Sequence, residues 1–230
     1  MDDEPEFAYA LNPSSRARLG PKQARHFQGP TLLDRLGRAV CKAACLPRKE
    51  LYESWEVARR IRRRFRGGRI VDLAAGHGLL GQILLILDDR SPRVVAVDPR
   101  LPPSAPRLRL ALAEEWPRLL DRVELLNQSL EEVELYSDDL VVSAHACGAL
   151  TDRVLERAKA ARARVAVLPC CHQLGPERPS ELSGWLPDAV AIDVDRAARL
   201  RAAGYRLHTA VIPAAITPQN RLLLGAPEDA

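Results

Sequence analysis

The chain has 230 residues, with 34 Lys and Arg against 30 Asp and Glu, a formal net charge of +4 and a hydrophobic fraction of 47%. A chain of this length can bury one sizeable core. No apolar run reaches the ~18 residues of a membrane-spanning helix. The odd count of 5 cysteines argues against a disulfide framework. The chain begins Met-Asp-Asp-Glu without the apolar core of a secretory signal, so we expect a cytoplasmic protein with no membrane attachment.

The positive charge is concentrated in the first 70 residues, which hold 16 Lys and Arg against 8 Asp and Glu. The remaining residues hold 18 basic and 22 acidic side chains. A basic region steers a polyanion such as RNA towards it. It is equally well explained as the solvated face of helices in an arginine-rich chain. No feature of the sequence indicates an obligate protein partner.

Residues 1–66 are predicted to form a basic, helical N-terminal extension. Residues 1–29 are polar and contain prolines, and we expect a loose arm or a partly ordered lid. The spacing of apolar residues predicts a helix over 31–45, with Thr31 as its N-cap, and a second helix over about 49–66 that ends at a glycine pair. In the second helix we expect Leu51, Trp55, Val57, Ala58 and Ile61 to face inward and Arg59, Arg60, Arg62, Arg63 and Arg64 to lie mostly outside.

From residue 67 to residue 230, predicted strands and helices alternate. This alternation indicates an α/β fold: a Rossmann-like, doubly wound sheet of seven strands. The strands are predicted at 69–73, 93–98, 123–126, 140–144, 164–168, 205–212 and 221–224. Helices are predicted over about 108–120, from near 151, and over about 194–203.

A glycine turn follows the first of these strands. Gly76 and Gly78 let the backbone turn tightly and approach a ligand, where a β-carbon would collide. Helical spacing begins at Leu79, and the free amides of a helix start favour an anionic group. The stretch therefore predicts a nucleotide-type cofactor site.

Two cofactors compete for this site. Residues 76–81 satisfy G-x-G-x-x-G, and Asp98 ends the next strand at about the ~20-residue spacing of a ribose-binding carboxylate, which suits a dinucleotide. Asp72 favours S-adenosylmethionine instead, because a carboxylate inside the first strand is awkward beside a pyrophosphate and useful beside an ammonium and a sulfonium.

The stretch Asp72-Leu-Ala74-Ala-Gly76-His-Gly78 resembles the first motif of the class I S-adenosylmethionine-dependent methyltransferases, acidic-x-Gly-x-Gly-x-Gly, with alanine at the first glycine position. The resemblance implies S-adenosylmethionine as the cofactor, held by Asp72, Ala74, Gly76 and Gly78. It also implies a last strand that inserts antiparallel between its neighbours.

Two further positions follow the next strands of the sheet. Asp98 is suited to accept hydrogen bonds from the two ribose hydroxyls, and Gln128 or Ser129 to bind the adenine edge. The alternatives are a carboxylate that opens the turn at Pro99 and a helix cap at Ser129.

The loops after the fourth and fifth strands are more specific. They contain His145-Ala-Cys147-Gly, continuing to Thr-Asp152, and Cys170-Cys-His172. These loops resemble a subset of class I methyltransferases over roughly residues 48–226: the tRNA ribose 2′-O-methyltransferases of the acceptor stem, the rRNA adenine dimethylase domain-containing methyltransferase-like proteins, and the glutathione S-transferase C-terminal domain-containing proteins. Members of the subset differ in their acceptor.

The same loops supply the candidate catalytic residues. His145 and His172 have side chains that titrate near neutral pH and could remove a proton from the acceptor or orient it. Cys147 would help to shape the acceptor pocket. The alternatives are structural loop histidines with small core cysteines, and a zinc site, but the spacing matches no Cys-x-x-Cys knuckle, and we predict no metal.

The sequence therefore predicts an S-adenosylmethionine-dependent methyltransferase with RNA as its acceptor. Three alternatives remain at this stage. They are a protein or small-molecule methyltransferase, an NAD-dependent oxidoreductase, and a non-catalytic binding module on the same fold.

Overall fold

The computed structural model describes residues 9–144, 146–169 and 181–228. Two helices precede the first strand, and a 3₁₀ turn at Pro21–His26 precedes both. The helices are α1 (Leu32–Ala43), α2 (Arg48–Arg64), α3 (Leu79–Leu87), α4 (Ala105–Glu115), α5 (Leu119–Arg122), α6 (Ala149–Ala160) and α7 (Asp188–Ala202). The strands are β1 (Ile70–Leu73), β2 (Val94–Val97), β3 (Val123–Leu126), β4 (Leu140–Ser143), β5 (Arg164–Val167), β6 (Tyr205–Val211) and β7 (Arg221–Pro227).

The seven strands form one sheet in the order β3-β2-β1-β4-β5-β7-β6. The first five are parallel, and β7 runs antiparallel to both of its neighbours. The predicted α/β fold of seven strands and the antiparallel insertion of the last strand are confirmed. Because parallel strands end at the same edge, the loops after β1, β2, β3, β4 and β5 meet there.

Side chains on the two faces of the sheet form two apolar cores. One core joins α1, α2 and α3 to one face, and the other packs α6 and α7 against the opposite face. The five residues of α2 that were predicted to face inward are all buried. Residues on both sides of position 66 thus share a core, and the division into 1–66 and 67–230 stays a prediction.

The segment before α1 is packed, which corrects the expectation of a loose arm for the residues that the structure describes. Leu19 is fully buried, and Phe27 is 1% exposed. Carbonyl oxygens of Ser15 and Ala17 accept hydrogen bonds from the first amides of α2, at Lys49 and Arg48. These carbonyls act as the cap for a helix start that Pro47 cannot cap with its side chain.

Two helix predictions need correction. The helix expected over 108–120 is two helices, because Pro106 favours an earlier start and Pro117 cannot continue α4. The helix expected from 194 begins at Asp188, whose carboxylate favours the positive end of the helix dipole. Within the described ranges, no helix has both the length and the apolar composition needed to cross a bilayer.

Arg62 is buried, contrary to the prediction that it lies outside. Its guanidinium donates to the carbonyl oxygens of Leu84 and Phe65 and to Ser91 Oγ, at 3.0, 3.3 and 2.8 Å. Asp88 Oδ2 lies 3.4 Å from Arg62 Nη1. Burial lowers the pKa of Arg62 to about 10 despite this carboxylate. Arg62 therefore ties α2 to the end of α3.

Candidate functional site

The turn between β1 and α3 has the left-handed backbone that the glycine pattern predicts. Ala74, Gly76 and Gly78 have φ values of 55°, 54° and 71°. Ala74, which replaces the first glycine of the motif, is therefore in a conformation that costs an L-residue about 1 kcal/mol. A β-carbon at Gly78 would lie 2.9 Å from Ala96 Cβ, so close packing against β2 requires glycine there.

Gly76 faces open space. A β-carbon built at this position would meet nothing within 4 Å. The turn is therefore open to a ligand on the side of Gly76, at the carboxyl end of β1.

Asp72 lies under the turn and is 2% exposed. Its Oδ2 accepts a hydrogen bond from the amide of Gly81 at 3.0 Å, in the first turn of α3. Burial, together with the charges of Asp98 and Glu50, raises the pKa of Asp72 to about 8, although the Gly81 amide acts in the opposite direction. Asp72 thus occupies a helix-start donor that could otherwise bind an anion.

Asp98 joins the ends of β1 and β2. Its Oδ2 accepts from the amide of Gly76 at 3.0 Å, and its Oδ1 accepts from the amide of Arg100 at 2.8 Å. The hydrogen bond to Arg100 closes the turn at Pro99, which is the alternative role predicted for Asp98. The proposed binding of the ribose hydroxyls by Asp98 stays a prediction.

The loop after β3 lies next along the same edge. Asn127 Oδ1 accepts from the amide of Leu101, Gln128 is exposed, and Ser129 is half-buried. The amide of Ser129 donates to Glu132 Oε2 at 2.6 Å, within a turn rather than at the start of a helix. The position of Gln128 and Ser129 at the strand end fits their predicted role, which stays a prediction.

Cys147 follows β4 in the loop before α6 and is exposed. His145 and His172, with Cys170 and Cys171, lie outside the described residues. Cys41 and Cys45 are buried in the core. Burial raises the pKa of both thiols.

Glu50, in the first turn of α2, belongs to the site and was not predicted. Its Oε1 lies 3.9 Å from His77 Nδ1 in the glycine turn, and its side chain is 17% exposed. Burial and the charge of Glu53 raise the pKa of Glu50 to about 7. His77 also contacts Ser104 Oγ through Nε2 at 2.9 Å. In the sequence, Glu50 looks like any acidic residue in the first turn of a helix. Its place in the site becomes visible only when α2 is packed on α3.

The site therefore brings together the carboxyl groups of Asp72, Asp98 and Glu50 around a glycine turn. The charges of Asp98 and Glu50 add to burial in raising the pKa of Asp72. A cation placed between them would relieve this repulsion.

Comparisons with known proteins agree with this geometry. A family model described as a methyltransferase domain matches residues 49–176. The chain matches none of the curated proteins. The structure resembles the B. subtilis tRNA methyltransferase TrmK, with a TM-score of 0.50, 17% identity, and coverage of 77% of this chain and 67% of that chain. It also resembles an O-methyltransferase family protein from Burkholderia thailandensis, with a TM-score of 0.52, 18% identity, and coverage of 93% of this chain and 65% of that chain. At these identities the likeness establishes the fold, and this chain spans about two thirds of the length of each structure.

Proposed function

This chain belongs to the methyltransferase-domain family, and on that premise we propose that it transfers a methyl group from S-adenosylmethionine to RNA. The observation that carries the choice of cofactor is the acidic lining of the glycine turn. S-adenosylmethionine brings an ammonium, a sulfonium and a methyl group that the sulfonium activates for transfer.

The residues present fit this cofactor better than a dinucleotide. Asp72 accepts a hydrogen bond from the Gly81 amide at the start of α3. Glu50 lies beside His77 of the glycine turn. A pyrophosphate placed here would meet carboxylates and would lose a helix-start donor. A ligand with positive charge is stabilised by the same groups.

Each residue of the site then has a proposed task. Asp72 lies beneath the turn, where a bound cation would favour the charged form of its carboxyl group, and Ala74, Gly76 and Gly78 let the backbone lie against the ligand. Asp98 accepts from the ribose hydroxyls, and Gln128 or Ser129 binds the adenine edge. These contacts orient the reacting carbon, which is the main requirement of a displacement reaction.

The acceptor side is proposed from the sequence pattern. His145 and His172 are the candidates to remove or hold the acceptor proton, and Cys147 would shape the pocket. When a hydroxyl or amine accepts a methyl group, the attacking atom must lose its proton. A neutral imidazole can accept that proton.

RNA as the acceptor is supported by basic side chains close to the site. Arg16, Arg18 and Lys22 are exposed, and they form no ion pair with any acidic residue that the structure describes. They lie on the segment whose carbonyls cap the first turn of α2, which carries Glu50. Phosphate groups bound there would bring a nucleotide towards the edge of the sheet where the strands end.

Transfer of labelled methyl from S-adenosylmethionine tests the proposal. The wild-type protein is incubated with RNA, protein and small-molecule fractions from cells that lack the gene, and we expect label in the RNA fraction. The R16E/R18E/K22E variant should lose most of this labelling while it binds the cofactor normally. The R201E/R206E variant changes two exposed arginines, one in the last turn of α7 and one at the start of β6, and should behave as wild type.

Other outcomes identify the alternatives. Label in protein or in small molecules would reject RNA as the acceptor. Cofactor binding without labelled product would favour a non-catalytic module, and binding of NADH in place of S-adenosylmethionine would favour an oxidoreductase.

A further inference from the structure

Glu53, one helical turn after Lys49, has a buried carboxylate oxygen with no partner. The residue is 1% exposed, and Oε1 makes no hydrogen bond within the described part of the chain. Oε2 lies 3.2 Å from Lys49 Nζ, whose side chain is 27% exposed. A buried carboxylate oxygen without a donor is costly, and such a group calls for a ligand that supplies one.

The position of Glu53 connects it to the glycine turn. Its charge raises the pKa of Glu50, and Glu50 in turn lies beside His77 and raises the pKa of Asp72. Glu53 therefore acts electrostatically on Glu50, three residues before it on α2, and Glu50 acts on Asp72 in β1.

Lys49 and Glu53 lie on one face of α2, because residues four apart are neighbours on a helix. They present one positive and one negative group side by side. The α-ammonium and α-carboxylate of an amino acid have the complementary arrangement. The ammonium supplies the donor that Glu53 Oε1 lacks, and the carboxylate accepts from Lys49 Nζ.

We propose that Lys49 and Glu53 bind the amino-acid end of the cofactor, Glu53 through the α-ammonium and Lys49 through the α-carboxylate. This inference rests on the proposed use of S-adenosylmethionine. It assigns the recognition of one end of that ligand to a helix that precedes the glycine turn in sequence.

Glu56, three residues after Glu53 on α2, provides a matched control. It is 2% exposed, like Glu53, but its two oxygens pair with Arg59 and Arg60. A substitution of Glu56 therefore removes a buried carboxylate that already has partners.

The experiment measures binding of three ligands by titration calorimetry. S-adenosylmethionine and S-adenosylhomocysteine both carry the amino-acid end, whereas 5′-methylthioadenosine lacks it and keeps the nucleoside. For Glu53→Gln and Lys49→Met we expect at least a tenfold loss of affinity for the first two ligands and unchanged affinity for the third. Glu56→Gln should leave all three affinities unchanged, and thermal unfolding checks that each variant is folded.

Each other result overturns the inference. Unchanged affinity of Glu53→Gln for S-adenosylmethionine would show that the carboxylate is not used. An equal loss for 5′-methylthioadenosine would indicate a structural role, and a loss for S-adenosylmethionine alone would indicate contact with the sulfonium. A wild-type protein that binds none of the three would overturn the proposed cofactor as well, which separates the two failures.

Discussion

The carboxylate of Asp98 accepts a hydrogen bond from the backbone amide of Gly76 at 3.0 Å. One residue ends the second strand of the sheet and the other lies in the turn after the first, 22 positions earlier. The contact holds the glycine turn against β2. The other carboxylate oxygen of Asp98 accepts a hydrogen bond from the amide of Arg100.

Replacing Asp98 by Ala should weaken binding of S-adenosylmethionine by at least tenfold. The variant loses the proposed acceptor for the ribose hydroxyls and the anchor of the Gly76 amide. Titration calorimetry measures the affinity, with Asp121→Ala as the control because Asp121 is an exposed carboxylate on α5. Equal affinity of the two variants would contradict the assigned role.

Gly76 and Gly204 offer a matched pair of substitutions. Both have positive φ, 54° and 78°, and a β-carbon at either would meet nothing within 4 Å. Ala at each position should lower the free energy of unfolding by about 1 kcal/mol through backbone strain alone. Only Gly76→Ala should also weaken cofactor binding, because only that turn faces the proposed ligand.

Denaturant unfolding and calorimetry of the two glycine variants check this prediction. If Gly204→Ala lost cofactor affinity to the same extent, the effect would be one of general stability and not of access to the turn.

Arg62→Ala should destabilise the protein by on the order of 3 kcal/mol, because it removes the buried guanidinium that donates to two carbonyl oxygens and pairs with Asp88. Arg64→Ala removes an exposed arginine two positions later in the same helix and should cost less than about 0.5 kcal/mol. Urea unfolding monitored by circular dichroism distinguishes the two. Similar midpoints would mean that the buried guanidinium contributes little net stability.

Asp72 should make stability fall with rising pH. Its pKa is about 8 in the folded protein, above the usual value of 3.8. The folded state therefore keeps a proton that the unfolded state releases, so this contribution is complete below about pH 4 and lost progressively up to about pH 8.

Asp72→Asn removes this titration while it keeps a side-chain oxygen for the Gly81 amide. As the pH rises from about 4 to about 8, we expect the wild type to lose stability relative to the variant. Thermal unfolding of both proteins without ligand across this range is the measurement. Parallel pH profiles would be inconsistent with a raised pKa at Asp72.

The sequence was sufficient to predict the strands, the glycine turn and the position of Asp98, because each follows from local periodicity and glycine spacing. It was not sufficient to predict that Arg62 is buried or that Glu50 lies at the glycine turn. Both belong to a helix whose charged residues look solvated until α2 is packed on α3. The ordered segment around Leu19 was also missed, because its burial depends on carbonyls that cap a helix about 30 residues later in the chain.

The predicted catalytic side chains show a different limit. Of His145, His172 and Cys147, only Cys147 lies in the part of the chain that the structure describes. The structure therefore describes the surroundings of the proposed cofactor residues, whereas the proposed roles of the two histidines rest on the sequence pattern of their loops.

The insertion of β7 between β5 and β6 has a consequence for synthesis of the chain. Of the seven strands of this sheet, the ribosome makes β7 last, although β7 does not lie at the edge of the sheet. Until then, β5 has one unpaired backbone edge, and β6, whose partner in the sheet is β7, has two, and each of these edges can bind another strand. A chain that stops short of residue 221 would keep these edges unpaired, so we expect premature termination to produce aggregation and not a smaller folded domain.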